Sequence, residues 1–239
     1  MRIITNFSPN CPKSVRKQKN IKFIVLHYTG MQSAIESINR LKNIKFKVSC
    51  HYLITRTGKI IRMVNDDKEA WHAGKSKWFK FKNLNKYSIG IELVNKGHNL
   101  GYENFPKKQI KSLIKLCKNL KKKYKIKQKN VLGHSDIAPR RKKDPGEKFP
   151  WKELSNYGLG KWYRGNLSCR NLNLNKSSEN KFFRCIYKIG YRYFNPNKRD
   201  KKKDKYVIKA FQLRYNPKNA TGKLDRKTLK ISQLLAKSH

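Results

Sequence analysis

Acidic side chains are scarce in this chain. Its 239 residues carry 14 Asp and Glu against 59 Lys and Arg, a formal charge of +45. Such a balance admits a polyanion partner. Arginine is the minor cation, however, and the lysines run along the whole length, with blocks at Lys121-Lys122-Lys123 and Lys201-Lys202-Lys203. Specific reading of nucleic acid leans on the bidentate Arg fork and on clustered aromatics, so no specific nucleic-acid partner is expected. Abundant Lys, Asn and Ile fit drift towards AT-rich codons at surface positions. Paired cysteines are missing too: Cys11, Cys50, Cys117, Cys169 and Cys185 are an odd number without a CxxC spacing. That argues against both a cysteine zinc knot and a disulfide framework. Long apolar runs are absent. Phe23 to Leu26 is far too short to span a membrane. Met1 to Asn6 is not followed by an apolar h-region, which leads us to expect a cytoplasmic chain.

What is present is bulk for a core. Eleven Phe, twelve Tyr and four Trp are spread along the sequence. Residues 1–20 are polar with two prolines and read as an irregular lead-in. Ile21 to Leu26 reads as a buried strand that delivers His27 at its end. Ser33 can cap a helix through about Leu41. Val48 to Ile54 and Lys59 to Val64 read as strands joined by a Thr55–Gly58 turn. Ala70 to Ser76 reads as a loop on the rim of a site. Ser88 to Asn95 is a strand with one acid, Glu92, set between Ile91 and Leu93, where a carboxylate is costly unless paired or employed. Pro106 opens a helix to about Tyr124, and Asn130 to Gly133 is a short strand that delivers His134.

Strands alternating with helices give the expected fold class: α/β, a mixed β-sheet flanked by helices. The texture changes after Trp151. Residues 158–180, with Asn171-Leu172-Asn173-Leu174-Asn175 near the middle, read as a linker. Helices are expected over Lys181–Gly190 and Tyr206–Tyr215, with a basic loop at 198–205 between them, and a third helix capped by Asp225 through Leu235. The division is therefore 1–157, a linker at 158–180, and a small three-helix domain at 181–239.

The chain is organised around residues 133–146, Gly-His-Ser-Asp-Ile-Ala-Pro-Arg-Arg-Lys-Lys-Asp-Pro-Gly. Pro139, Pro145 and Gly146 break any helix between His134 and Asp144, so the loop can fold both side chains towards one spot. Imidazole nitrogen and carboxylate oxygen are both zinc ligands, and His27 is the candidate third.

These blocks resemble the zinc-dependent N-acetylmuramoyl-L-alanine amidases. The resemblance rests on Phe23-Ile24-Val25-Leu26-His27-Tyr28-Thr29, Val48 to Ile54, Trp71-His72-Ala73-Gly74, Ser88-Ile89-Gly90-Ile91-Glu92-Leu93 and Gly133 to Pro139, in order over roughly residues 20–152. It implies Zn2+ held by His27, His134 and Asp144, and Glu92 as general base. It also implies Lys142 as oxyanion support, and cleavage of the amide between the lactyl group of N-acetylmuramic acid and L-alanine in peptidoglycan or muropeptides. Trp71, His72 and Ala73 are the expected substrate contacts. His51 is expected to be structural, Cys50 to be packing, and His98 and His239 to be solvated.

Ala210-Phe211-Gln212-Leu213-Arg214 and Thr221 to Leu229 resemble a three-helix peptidoglycan-binding module found after some of these amidases. Such a module points to periplasmic or wall-associated work, against the cytoplasmic expectation. A non-catalytic recognition protein on the same scaffold, or a polyanion binder, are the alternative readings.

Overall fold

The computed structural model describes residues 2–168 and 174–238; the readings of Cys169, His239 and Asn171 to Asn173 lie outside these. In chain order the elements are β1 (Ile3–Thr5), β2 (Phe23–Tyr28), α1 (Ala34–Lys42), β3 (Tyr52–Ile54) and β4 (Ile60–Arg62). A small ribbon follows, β5 (Lys77–Trp78) and β6 (Phe81–Lys82), then β7 (Ser88–Leu93), α2 (Lys107–Lys123) and β8 (Val131–Gly133). The rest is helical: α3 (His134–Ile137), α4 (Trp151–Asn156), α5 (Lys176–Ile189), α6 (Lys201–Tyr215) and α7 (Arg226–Lys237).

The main sheet has the order β1-β4-β3-β7-β2-β8. Only β3 and β4 run antiparallel; every other neighbouring pair is parallel. A central parallel strand is covered on both faces, which is why β2 is apolar almost throughout. Side chains alternate across the sheet. Ile24, Leu26, Ile89, Ile91, Leu93 and Val131 meet Ile110, Leu113, Ile114, Cys117 and Leu120 of α2 on one face. Phe23, Val25 and Leu132 point to the other, where Phe182, Ile186, Phe211 and Leu235 of the C-terminal helices cover them. α1 covers the far half of that second face, with Leu41 over Leu53, Ile61 and Met63; the buried Cys50 belongs to this cluster. Between α1 and the C-terminal helices the sheet is left open at the ends of β2, β7 and β8.

Side-chain caps set the helix starts. Ser33 accepts from the Glu36 amide, Asn175 from Ser178, Asp200 from Lys203 and Asp225 from Thr228. Two of these correct the reading of the sequence. α5 begins at Lys176, and α6 begins at Lys201 inside the expected basic loop. Asp200 caps that end, and buried Asp204 pairs with Arg199 at 2.7 Å, so opposite charge offsets the lysine run. The lead-in is not wholly irregular either. Ile3–Thr5 lies parallel to Ile60–Arg62 as an edge strand too short to show alternation. Within Val48–Ile54 the ladder is confined to Tyr52–Ile54.

Candidate metal and catalytic site

Strand register builds the site. His27 is the Cα partner of Glu92 on β7, and Leu26 pairs with Gly133 on β8, so His134 follows directly beside His27. Three adjacent parallel strands therefore present Glu92, His27 and His134 at their C-terminal ends, where open α/β sheets hold ligands. The loop from Ala138 returns Asp144 to the same point, and the Ser135 amide donates to the Asp144 carbonyl at 2.9 Å.

His27 Nδ1, His134 Nδ1 and Asp144 Oδ2 form a triangle with all three edges 3.0 Å. All three residues are buried. The surroundings fix the tautomers. Ser88 Oγ donates to the Leu84 carbonyl at 2.6 Å, so it accepts from His72 Nε2 at 3.2 Å. His72 Nδ1 is then an acceptor for His27 Nε2–H at 3.0 Å. His134 Nε2–H donates to the Ala73 carbonyl at 3.1 Å. Both Nδ1 atoms are thus bare lone pairs facing a carboxylate oxygen, with no proton to share. Three such donors repel one another unless a cation lies among them. Their spacing is close to the roughly 3.3 Å edge of a tetrahedron with bonds of about 2.0 Å. The group is therefore well suited to a metal ion.

Electrostatics agree with the donor chemistry. Burial and the neighbouring His134 lower the His27 pKa to about 4. Glu92 moves the opposite way. Burial and the nearby Asp144 charge push it well above its ordinary value, with Lys142 partly opposing them. Its Oε2 is shielded from solvent and has no hydrogen-bond partner, so the acid between Ile91 and Leu93 is not paid for by pairing.

A cavity of about 470 Å³ opens over this group. His27, Glu92, His134 and Asp144 line its floor, α1 contributes Arg40 and Leu41, and Trp71, His72 and Lys142 lie along it. Ala73 is placed differently from Trp71 and His72. Its side chain is buried in the core under the C-terminal helices, and it reaches the site through its carbonyl, which takes His134 Nε2 and the Arg141 guanidinium. His51 lies behind the site, accepting from the Gly90 amide at 2.9 Å on Nδ1 and donating from Nε2 to the Lys68 carbonyl at 3.1 Å. His98 is not simply solvated. It bonds Tyr28 Oη at 2.8 Å and Glu147 at 2.9 Å and stacks on Tyr102 beside the cavity.

Several contributors escaped the sequence reading. Ser88 ends the His27–His72 chain, and its only signal was its place on the same alternating face as Gly90 and Glu92. Asp136 lay inside a recognised block without a role. It is buried, accepts from the Gly133 amide at 2.8 Å and pairs with Arg214.

The N-acetylmuramoyl-L-alanine amidase family model matches residues 17–147. The N-acetylmuramoyl-L-alanine amidase AmiD of Escherichia coli is 33% identical over 238 residues, covering 92% of this chain and 83% of that protein. Its complex with anhydro-N-acetylmuramic acid-L-Ala-D-gamma-Glu-L-Lys superposes with a TM-score of 0.83 at 31% identity, over 95% of this chain and 92% of that one. AmpDH3 of Pseudomonas aeruginosa, in complex with anhydromuramic pentapeptide, gives a TM-score of 0.81 at 32% identity, over 95% of this chain and 94% of that one. The 1,6-anhydro-N-acetylmuramyl-L-alanine amidase AmpD of Haemophilus influenzae is 41% identical over 109 residues, 45% of this chain and 57% of that protein.

Proposed function

The chain belongs to the N-acetylmuramoyl-L-alanine amidase family, and we propose that it is a zinc-dependent amidase cutting the bond between the muramic lactyl group and L-alanine in peptidoglycan fragments. The observation that carries this reading is the triangle of bare donors at His27, His134 and Asp144, with an unpartnered Glu92 beside it. Bound zinc would supply Lewis acidity, lowering the pKa of a water and polarising the scissile carbonyl.

The chain's own residues divide the remaining work. The Glu92 carboxylate takes a proton from the attacking water as its oxygen adds to the carbonyl carbon. The C–N bond then breaks, and the same carboxyl returns the proton to the leaving nitrogen of L-alanine. Lys142, on the cavity wall, faces the oxygen that gains negative charge and offsets it. Trp71 and His72 lie along the cavity where the muramic and peptide portions would rest. The relation to AmiD and AmpDH3, whose complexes hold anhydromuramic peptides, supports a fragment of that kind as substrate. The C-terminal helices, by the resemblance of residues 210–214 and 221–229, are assigned to binding the wall polymer.

Mass spectrometry of products from a soluble anhydro-muropeptide tests the reaction. A free stem peptide with a new L-alanine amino terminus, and a free lactyl carboxylate on the sugar, are expected. Intact substrate at every zinc concentration would leave a muropeptide-recognition protein on the same scaffold.

A further inference from the structure

The short helix α3 starts with His134 and carries Asp136 in its first turn. Asp136 is 1% exposed, in a chain with few acids, and all its partners are drawn from two directions. From the sheet side, the Gly133 amide donates to Oδ2 at 2.8 Å. From the helical side come the Arg214 guanidinium of α6 to Oδ2 and the Tyr191 hydroxyl, just past α5, to Oδ1. Arg214 is itself buried, donates to the Val131 carbonyl of β8 at 3.3 Å, and lies over the Trp151 ring at 3.9 Å. The residues immediately before and two after His134 are thus tied to one carboxylate, and that carboxylate is held from the C-terminal helices.

We propose that the C-terminal helices are a structural part of the metal site: Arg214 and Tyr191 are positioning residues that act through Asp136 to hold His134 at its donor position. This rests on the metal reading given above and goes beyond it. It assigns to the helices a role that needs no wall polymer. Arg214 is the principal support, because removing its charge leaves a buried carboxylate two residues from a ligand without its counter-ion. Outer partners of metal ligands commonly govern affinity by about 10–100-fold, and Asp136 with Arg214 is such a partner at one remove.

The test is zinc affinity of the full chain, measured by competition with a chromophoric chelator, alongside thermal unfolding. Four variants are compared with wild type: Arg214→Met, Arg214→Lys, Tyr191→Phe and Leu229→Ala. Leu229 is buried in the same helical core, cannot hydrogen-bond Asp136 through its side chain and does not line the cavity, so it controls for lost stability. Arg214→Met is expected to weaken zinc binding about tenfold or more. Arg214→Lys should recover part of that, Tyr191→Phe should shift affinity the same way by less, and Leu229→Ala should lower the melting temperature while leaving affinity within about twofold of wild type. Tyr191→Phe removes only a hydroxyl, so it reports even if Arg214→Met does not fold. Wild-type affinity in Arg214→Met or, failing its folding, in Tyr191→Phe would overturn the proposal. Equal weakening in Leu229→Ala would also overturn it. A wild-type chain that binds no zinc would instead sink the metal reading, and this inference with it.

Discussion

Glu92 is the residue on which the proposed chemistry turns. A carboxylate in an apolar strand, with one oxygen shielded and unpaired, is held at a cost that structure alone does not repay. Glu92→Gln keeps the shape and removes the base. It should cut turnover by about 10²–10⁴-fold while zinc affinity stays near wild type, which parallel kinetics and metal titration would check. The buried histidines give a second expectation. His27 is lowered to about 4 and His51 to about 3, in both cases chiefly by burial. Unfolded histidine titrates near 6.5, so between that value and about 4 the unfolded chain binds more protons than the folded one. Stability of the metal-free protein should therefore be intact above about pH 6.5 and fall as the solution is acidified towards pH 4, as urea melts at a series of pH values would show.

At the scale of elements, β7 carries more than one role. Its second face reads Ser88, Gly90, Glu92: relay end, clearance and proposed base. A Cβ at Gly90 would run into the His72 ring, which would have to shift. Gly90→Ala should displace His72, loosen the tautomer of His27 and weaken zinc binding by about 10–100-fold, measurable by chelator competition. Such dependence was only partly legible beforehand. The alternation over Ile89, Ile91 and Leu93 announced the strand, and the isolated acid announced a task. That Gly90 makes room for His72 depends on a loop returning from Trp71, which no local pattern encodes. The same limit explains the missed edge strand at Ile3–Thr5 and the start of α6 at Lys201. The first draws its order from a partner far along the chain, the second from caps and a buried Asp204 that override a run of lysines.

Across the whole molecule, the sheet was readable from its strand patterns, and the grouping of His27, His134 and Asp144, which the fold brings within reach of one another, was readable through the family resemblance. The dependence of His134 on helices some eighty residues later was not, since Asp136 and Arg214 are ordinary residues until the fold joins them. Phe23, Val25 and Leu132 of the sheet share one core with Phe182, Phe211 and Leu235. Sheet and helices should accordingly unfold in one transition, with coincident near- and far-ultraviolet circular dichroism melts. Phe211→Ala, which empties the middle of that core, should cost about 3–5 kcal/mol without splitting the transition. The proposed metal site is put to the test by titrating zinc into metal-free protein while following cleavage of an anhydro-muropeptide. Activity should rise linearly, stop at one equivalent, and be absent before zinc is added. Full activity in the rigorously metal-free protein would rule out a metal-dependent amidase.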